Sequence, residues 1–494
     1  MAVKERIAGL TPDAQAFLGS TKGAFIGGDE APSASGETFE TIDPYTDEPI
    51  VEVAQSGPED VARAITAARS AFDGGWGELD PRKRAKILYT LADLIEANLQ
   101  TGSELITLDN GKPVLFAMGE LVHSVQVLRY YAGFADKVYG ETNPTAPNQL
   151  IYTLREPLGV CAQIIPWNFP AAMVAWKIAP ALAFGNTIVL KPAEETPLIA
   201  LWIAALAKQA GLPDGVLNVL TGDGPTTGAA LIAADGVDKI AFTGSTEIGK
   251  LIMKTAAERL TKVTLELGGK SPNIVFPDAD FAQAAPQSAF GIFFNSGQVC
   301  TAGSRLLVQD SAHDEFVEAL TAQAAGWKVG DGLEQGTMVG PLVSRAQLDR
   351  VCGYLDRGAS EGASAAIGGH PVSDAKGYLV PPTIFTGVTP DMTIAREEIF
   401  GPVLSVLRFS DTDEAIRIAN DTAYGLAAAV WTKDLSTAHK VARGLKAGTV
   451  WVNTYGQNDP GVSFGGYKSS GFGRELGPHA IEAYTQVKSV WVSL

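Results

Sequence analysis

Short apolar runs alternating with helix-patterned segments dominate the middle of this chain. From residue 159 to 269 the runs GVCAQII, NTIVLK, GVLNVL, DKIAFTG and KVTLELGG are separated by segments such as PLIALWIAALAKQAG. That alternation predicts βαβ units, hence a parallel sheet covered by helices on both faces. Ligands of such sheets bind beyond the carboxyl ends of the strands. A second α/β stretch follows residue 270. There SRLLVQ, GPVLSVLRF and GTVWVN read as strands, and DEFVEALTAQAA and RAQLDRVCGYLDRGA as helices. The turn-over between the two α/β domains falls near 267–270, and no solenoid-like repeat is visible.

Upstream, residues 37–54 read as extended, with a turn at DPYTDEP. A helix is expected to start at SGPED, with Ser56 and Glu59 as a capping box and Pro58 in the first turn. Val61, Ile65, Ala68 and Phe72 follow at helical spacing, and a second helix over about 81–100 carries Ile87, Leu91, Ile95 and Leu99 on one stripe. The apolar segments NQLIYTLREP (148–157) and TQVKSVWVSL (485–494) suit edge-strand pairing, within the chain or between subunits.

With 494 residues, 46% of them hydrophobic, the chain exceeds one comfortable core, so two or three domains are expected. A formal charge of −17 makes nucleic acid a poor partner, because phosphates require a basic footprint. The N-terminal MAVKERIAGLTPDAQAF lacks the apolar run of a signal peptide, and AAMVAWKIAPALAFG (171–185) is too short to span a membrane. Cys161, Cys300 and Cys352 cannot build a disulfide framework, and no zinc-ligand spacing is present. A reducing, cytoplasmic setting is the expectation.

Several loops carry candidate chemistry. TGDGPTTG (221–228) follows a strand, but its Gly222, Gly224 and Gly228 run one residue longer than the dinucleotide fingerprint, so a plain strand–helix turn competes with a phosphate site. FTGSTEIG (242–249) is a second turn into a helix start. In LKPAEETP, Lys191 and Glu194 lie just past a strand, where they suit ribose or phosphate or are merely surface charges. PWNFP holds Asn168 between two stiffening prolines, as an oxyanion donor or as a turn cap. Glu266 in LELGG is a solvated strand end or a base aimed into the cleft. Cys161 and Cys352 read as packed thiols. Cys300, in the glycine-bearing GQVCTAGSR before a strand, reads differently. At a helix start, backbone N–H groups would lower its pKa and hold an oxyanion.

PWNFP, KPAEETP, FTGS, ELGGKSP and GQVCTAGSR occur in order and are followed by EEIFGPV (397–403) and FGGYKSSGFGRE (464–475). From about residue 20 onward the chain resembles the NAD(P)-dependent aldehyde dehydrogenase superfamily. The resemblance implies an α/β fold of three parts. A Rossmann-like cofactor domain takes 1–135 and 156–266, an α/β catalytic domain takes 267–466, and a small β bridging element takes 136–155 and 480–494. It implies Cys300 as nucleophile, Asn168 and the Cys300 backbone N–H as oxyanion hole, Glu266 as base, and Glu475 with Lys177 as a proton relay. Lys191 and Glu194 match adenine-ribose contacts and Ser245 a pyrophosphate contact beside Ile165 and Trp167, with Gly224 in the glycine turn. Glu398 matches the nicotinamide-ribose ligand and Phe400 the ring neighbour. Glu194 favours NAD, with NADP possible. Metal is not implied, and the partners expected are a small aldehyde and further copies of the chain in a homodimer or homotetramer.

The positions matching the aldehyde tunnel are Phe169, Met173, Trp176, Phe294, Val299, Thr301, Asn458 and Phe464. Their apolar, aromatic character suits an arylalkyl or hydrophobic aldehyde, and AQAFLGSTKGAFIGG and PLVSRAQLDRVCGYLD are similar to bacterial phenylacetaldehyde dehydrogenases. Two positions depart from the family: Ser463 replaces the usual proline before FGGYK, and Asn458 stands where an aromatic is common. Betaine aldehyde, amino-aldehydes and semialdehydes are the alternative substrates. A CoA-acylating relative would lack the base that Glu266 supplies here, and an idle structural relative would not keep these residues.

Overall fold

The structure is a computed structural model that describes residues 2–373 and 375–494. Two open sheets organise the chain. The first has eight strands in the spatial order Gly471–Phe472, Lys262–Glu266, Lys239–Thr243, Val160–Ile164, Thr187–Lys191, Leu217–Val219, Ala24–Ile26 and Asp29–Ala31. The five from Lys262–Glu266 to Leu217–Val219 are parallel. The chain enters this set in the middle, at Val160–Ile164, and builds outward to Leu217–Val219. It then crosses back to lay Lys239–Thr243 and Lys262–Glu266 on the other side. That reversal opens a crevice at the carboxyl ends of the strands, where a doubly wound sheet binds ligand.

The buried faces follow from composition. Every residue of Thr187–Lys191 and of Leu217–Val219 is buried, as strands covered on both faces must be. The helices Pro81–Ala97, Leu99–Asn110, Val114–Phe134, Pro170–Ala183 and Leu198–Gln209 share one apolar core with this sheet. Helix Pro58–Ala71 packs on the opposite face through Val61, Ala64, Ile65 and Ala68. Its cap lies one residue later than the sequence pattern suggests. Gly57 is the cap, its N–H donating to Asp60 Oδ2 at 3.0 Å, whereas Ser56 belongs to the preceding loop. Asp60 wins because its carboxylate is buried and also accepts from the Ala34 N–H at 3.0 Å.

After Glu266 the chain leaves the first sheet and at Pro272 enters the second. The seven strands there run in the order Ser364–Ile367, Thr383–Thr386, Val403–Phe409, Arg305–Gln309, Pro272–Val275, Ala427–Trp431 and Thr449–Val452, parallel except for the first. The third sheet pairs Gln149–Pro157 with Thr485–Ser493 antiparallel, from Thr485 against Pro157 to Ser493 against Gln149. Thr142–Asn143 adds a short edge. Just before the C-terminal strand, Ala480–Tyr484 is a helix whose Ala480 and Tyr484 join the first core. Among the described residues no helix is long and apolar enough to cross a membrane.

Candidate active site

The PWNFP loop leaves strand Val160–Ile164 at the crevice, and a buried cluster holds its asparagine. The Asn168 carbonyl accepts from Lys112 Nζ at 2.9 Å and from Asn295 Nδ2 at 2.9 Å. The Asn168 Nδ2 donates one hydrogen to the Gln298 carbonyl at 2.9 Å, which leaves its second amide hydrogen for a ligand. Lys112 is itself buried and ion-paired to Glu120, whose other oxygen accepts from the Ala172 N–H at 2.9 Å. Asn168 is therefore fixed by Lys112, which Glu120 on helix Val114–Phe134 holds, and by the segment before Cys300.

That segment is a tight bend. Asn295, Ser296 and Gly297 have φ of 50°, 55° and 71°, a left-handed run ahead of Cys300. At Gly297 any Cβ would overlap the Gly401 carbonyl, and at Gly269 it would overlap the Cys300 carbonyl, so both positions require glycine. Cys300 stands half-buried in a turn, with helix Phe281–Phe293 ending before it and strand Arg305–Gln309 starting after it. The expected helix start is absent, and with it the expected lowering of the thiol pKa. Burial, then the nearby Glu398 and Glu266 carboxylates, push the Cys300 thiol up to about 12.

Glu266 ends its strand with both carboxylate oxygens buried and, among the described residues, without a hydrogen-bond partner. Burial first, and Glu475 second, raise its pKa well above the usual carboxylate range, against the opposing charge of Lys177. Glu475 arrives because Gly471–Phe472 adds antiparallel to the edge of Lys262–Glu266, and Glu475 then bridges Phe464 through N–H···O bonds of 2.7 and 2.8 Å. Lys177, fully buried on helix Pro170–Ala183, closes an ion pair with Glu475. Two carboxylates and one ammonium thus share a water-poor pocket, and one carboxylate stays without a cation of its own. A carboxyl of that kind takes up a proton readily.

Cys300, Glu266 and Glu475 all face one cavity of about 390 Å³. Phe169, Met173, Trp176, Phe294, Val299, Thr301, Asn458 and Phe464 all line it. Phe169, Phe294 and Phe290 form one near-parallel aromatic wall, with centroid spacings of 5.8 and 4.8 Å. Trp176 and Phe464 meet edge-to-face at 5.2 Å. Sequence reasoning did not single out Leu115, Phe116, His123, Phe290 or Tyr455, which also line the cavity. Four of these sit on helices whose pattern reveals an apolar stripe but not what the stripe faces.

The residues expected at the cofactor gather at the crevice of the first sheet. Lys191 ends its strand buried, its Nζ donating to the Pro192 carbonyl at 3.0 Å and to Glu194 Oε2 at 3.4 Å. Ser245 caps helix Thr246–Ala257, its Oγ accepting from the Ile248 N–H at 3.3 Å. Gly224 opens an exposed turn capped by Asp223, and Ile165 is buried where its N–H donates to the Lys191 carbonyl at 3.1 Å. Trp167 and Phe400 meet edge-to-face at 5.2 Å. Glu398 accepts from the Gly269 N–H at 2.8 Å, and burial raises its pKa. Gly268 beside it has no room for a Cβ next to that carboxylate. Arg350, absent from the sequence reading, steadies the segment by donating to the Glu398 carbonyl at 2.6 Å. A buried lysine at a strand end and a helix N-terminus beside it are features that dinucleotide sites use.

The model of the aldehyde dehydrogenase family matches residues 31–490. The chain belongs to the aldehyde dehydrogenase family. An aldehyde dehydrogenase of Emericella nidulans is 51% identical over 95% of this chain and 94% of its own length. The Bacillus cereus aldehyde dehydrogenase, solved as an NAD+ complex, superposes with a TM-score of 0.97 at 49% identity, covering 98% of this chain and 99% of its own. A P. syringae indole-3-acetaldehyde dehydrogenase, solved as a mutant with NAD+ and IAA, superposes at 0.96 and 47% identity, covering 100% of this chain and 99% of its own. As a member of this family the chain is an aldehyde-oxidising oxidoreductase.

In this aldehyde dehydrogenase Ser463 makes a 2.6 Å hydrogen bond with His479 Nδ1, a side-chain tie beside Phe464. Asn458 brings an amide to a lining rich in aromatic and aliphatic side chains.

Proposed function

We propose that this aldehyde dehydrogenase oxidises a hydrophobic or arylalkyl aldehyde, such as phenylacetaldehyde, to its carboxylic acid with NAD. The observation that carries the proposal is the meeting of Cys300 and Glu266 in one aromatic-walled cavity, with Asn168 pinned beside it. In this reading the Cys300 sulfur adds to the aldehyde carbon. The free Asn168 amide hydrogen and the Cys300 N–H hold the developing oxyanion, and expulsion of hydride leaves a thioester on Cys300. Glu266 then takes a proton from water, which attacks the thioester and releases the acid. Lys177 and Glu475 pass that proton onward.

Lys191, Glu194, Ser245 and Glu398 would hold the dinucleotide, with Ile165, Trp167, Gly224 and Phe400 about it. When bound, NAD+ supplies the hydride acceptor and a positive charge. Glu194, partly exposed beside Lys191, would bond free ribose hydroxyls and repel a 2′-phosphate, which favours NAD over NADP. The first sheet with its helices serves as cofactor domain in this reading, and the second as catalytic domain. The Gln149–Pro157 and Thr485–Ser493 ribbon exposes Leu150, Leu154 and Val492 on one face and Val487 and Trp491 on the other, apolar patches suited to a partner copy in a homodimer or homotetramer. The test is NADH formation across phenylacetaldehyde, hexanal, acetaldehyde, betaine aldehyde and succinic semialdehyde, with and without CoA. The highest kcat/KM is expected for phenylacetaldehyde or hexanal, unaffected by CoA; a charged aldehyde as best substrate would overturn the assignment.

A further inference from the structure

One polar group on the aromatic wall has its proton position dictated by its neighbour. His123, on helix Val114–Phe134, lines the cavity, and its Nε2 lies 2.9 Å from the indole Nε1 of Trp176. An indole N–H can only donate, so Nε2 must be the acceptor and carries no proton. The imidazole is then neutral with its hydrogen on Nδ1, which makes no hydrogen bond to the described residues. The edge-to-face packing of the two rings, 5.9 Å apart at 62°, keeps the imidazole in that orientation. Burial favours the neutral form as well, against the weaker pull of Asp459. A donor of fixed polarity therefore stands in a cavity whose other walls are mostly carbon.

From this we infer that His123 is a specificity determinant. It selects aldehydes that carry a hydrogen-bond-accepting oxygen, a hydroxyl or ether, away from the aldehyde carbon. Cationic aldehydes, which offer no acceptor there, are disfavoured. The inference rests on the arylalkyl reading of the cavity and narrows it to oxygen-substituted aryl aldehydes. A site built around a donor discriminates because an analogue without the acceptor shuts solvent away from the half-buried His123 N–H and leaves it unpaired. Asn458, on the same cavity, is the second group able to meet that oxygen.

The experiment compares phenylacetaldehyde with its ortho-, meta- and para-hydroxy derivatives and with betaine aldehyde, by kcat/KM in the wild-type enzyme. One hydroxy isomer is expected to exceed the unsubstituted aldehyde by about tenfold, the worth of one buried hydrogen bond. If all three isomers equal or fall below phenylacetaldehyde, the inference is overturned while the arylalkyl assignment stands. If phenylacetaldehyde and its derivatives are not turned over at all, that assignment fails first. In His123→Leu the ratio of the favoured isomer to phenylacetaldehyde should fall to about one, and in His123→Asn, which keeps an N–H donor near the Nδ1 position, it should largely survive. A ratio unchanged in His123→Leu would overturn the inference. Because the readout is a ratio within one protein, partial misfolding does not mimic it. Should neither variant fold, the 15N imidazole shifts of wild-type enzyme decide: a neutral His123 protonated on Nδ1 supports the inference, and an Nε2-protonated or cationic ring refutes it.

Discussion

Lys112→Met tests whether the oxyanion donor is held in place by a buried ion pair two layers behind it. Lys112 is 2% and Glu120 6% exposed, and the lysine bonds both Glu120 and the Asn168 carbonyl. Removing the ammonium leaves Glu120 charged and unpaired, which should cost about 3–5 kcal/mol of stability. The double variant Lys112→Met/Glu120→Gln removes the second charge while keeping an acceptor for the Ala172 N–H. It should lie within about 1 kcal/mol of wild type, the loss being one hydrogen bond. Catalysis should not recover in parallel. The Asn168 carbonyl keeps only Asn295 as a donor, so the loop loosens. We expect kcat to stay about tenfold down in both variants, short of the roughly 100- to 1,000-fold loss that follows deletion of an oxyanion donor. Urea titration gives the stabilities, and steady-state NADH formation gives kcat and KM. A double variant that regains stability and full kcat together would show that Lys112 stabilises the fold without positioning Asn168.

Other outcomes follow from the same geometry. Cys300→Ser should abolish NADH formation while NAD binding, read by calorimetry, persists; residual turnover near wild type would end the nucleophile assignment. Glu194→Ser should move the NAD/NADP ratio of kcat/KM toward NADP, and an unchanged ratio would remove Glu194 from the cofactor site. The activity–pH profile should rise toward the alkaline side, because the Cys300 thiol and the Glu266 carboxyl are both raised and gain their reactive forms as pH increases. A profile that is flat or falls above neutrality would contradict this. Linkage gives Glu266 an opposite effect on stability: its folded pKa lies above its unfolded value, so ionising it in the fold is costly once pH exceeds the unfolded pKa. Glu266→Gln should therefore melt higher than wild type at pH about 8.5, by a margin that narrows toward pH about 5.5. A margin that widens on acidification would refute the buried, raised carboxyl.

The five parallel strands of the first sheet and three strands of the second were legible because a fully buried parallel strand must be a continuous apolar run between turn residues, as NTIVLK and DKIAFTG are. Candidate positions could be picked out because they cluster where those runs stop: Lys191 and Glu266 each end a strand, and Ser245 follows one. What lay beyond reach depends on tertiary contacts. Lys112 looks like an ordinary loop residue, and Glu120 and His123 like ordinary members of helix Val114–Phe134; only the docking of this stretch against the PWNFP loop and helix Pro170–Ala183 turns them toward Asn168 and the cavity. The cap of Pro58–Ala71 moved from Ser56 to Gly57 because Asp60 also serves Ala34, a partner distant in sequence. The bend before Cys300 was misread as a helix start, since small polar residues mark helix caps and left-handed turns alike, and Asn295, Ser296 and Gly297 take the latter.

The central claim is that catalysis passes through a thioester on Cys300 resolved by Glu266. Its most direct test is to mix Glu266→Gln enzyme with phenylacetaldehyde and NAD, quench within a single turnover, and map the adduct by peptide mass spectrometry. The account predicts a burst of about one NADH per active site, followed by a stall, with a phenylacetyl group on the Cys300 peptide and none on Cys161 or Cys352. Undiminished steady turnover, or acylation of any residue other than Cys300, would contradict it.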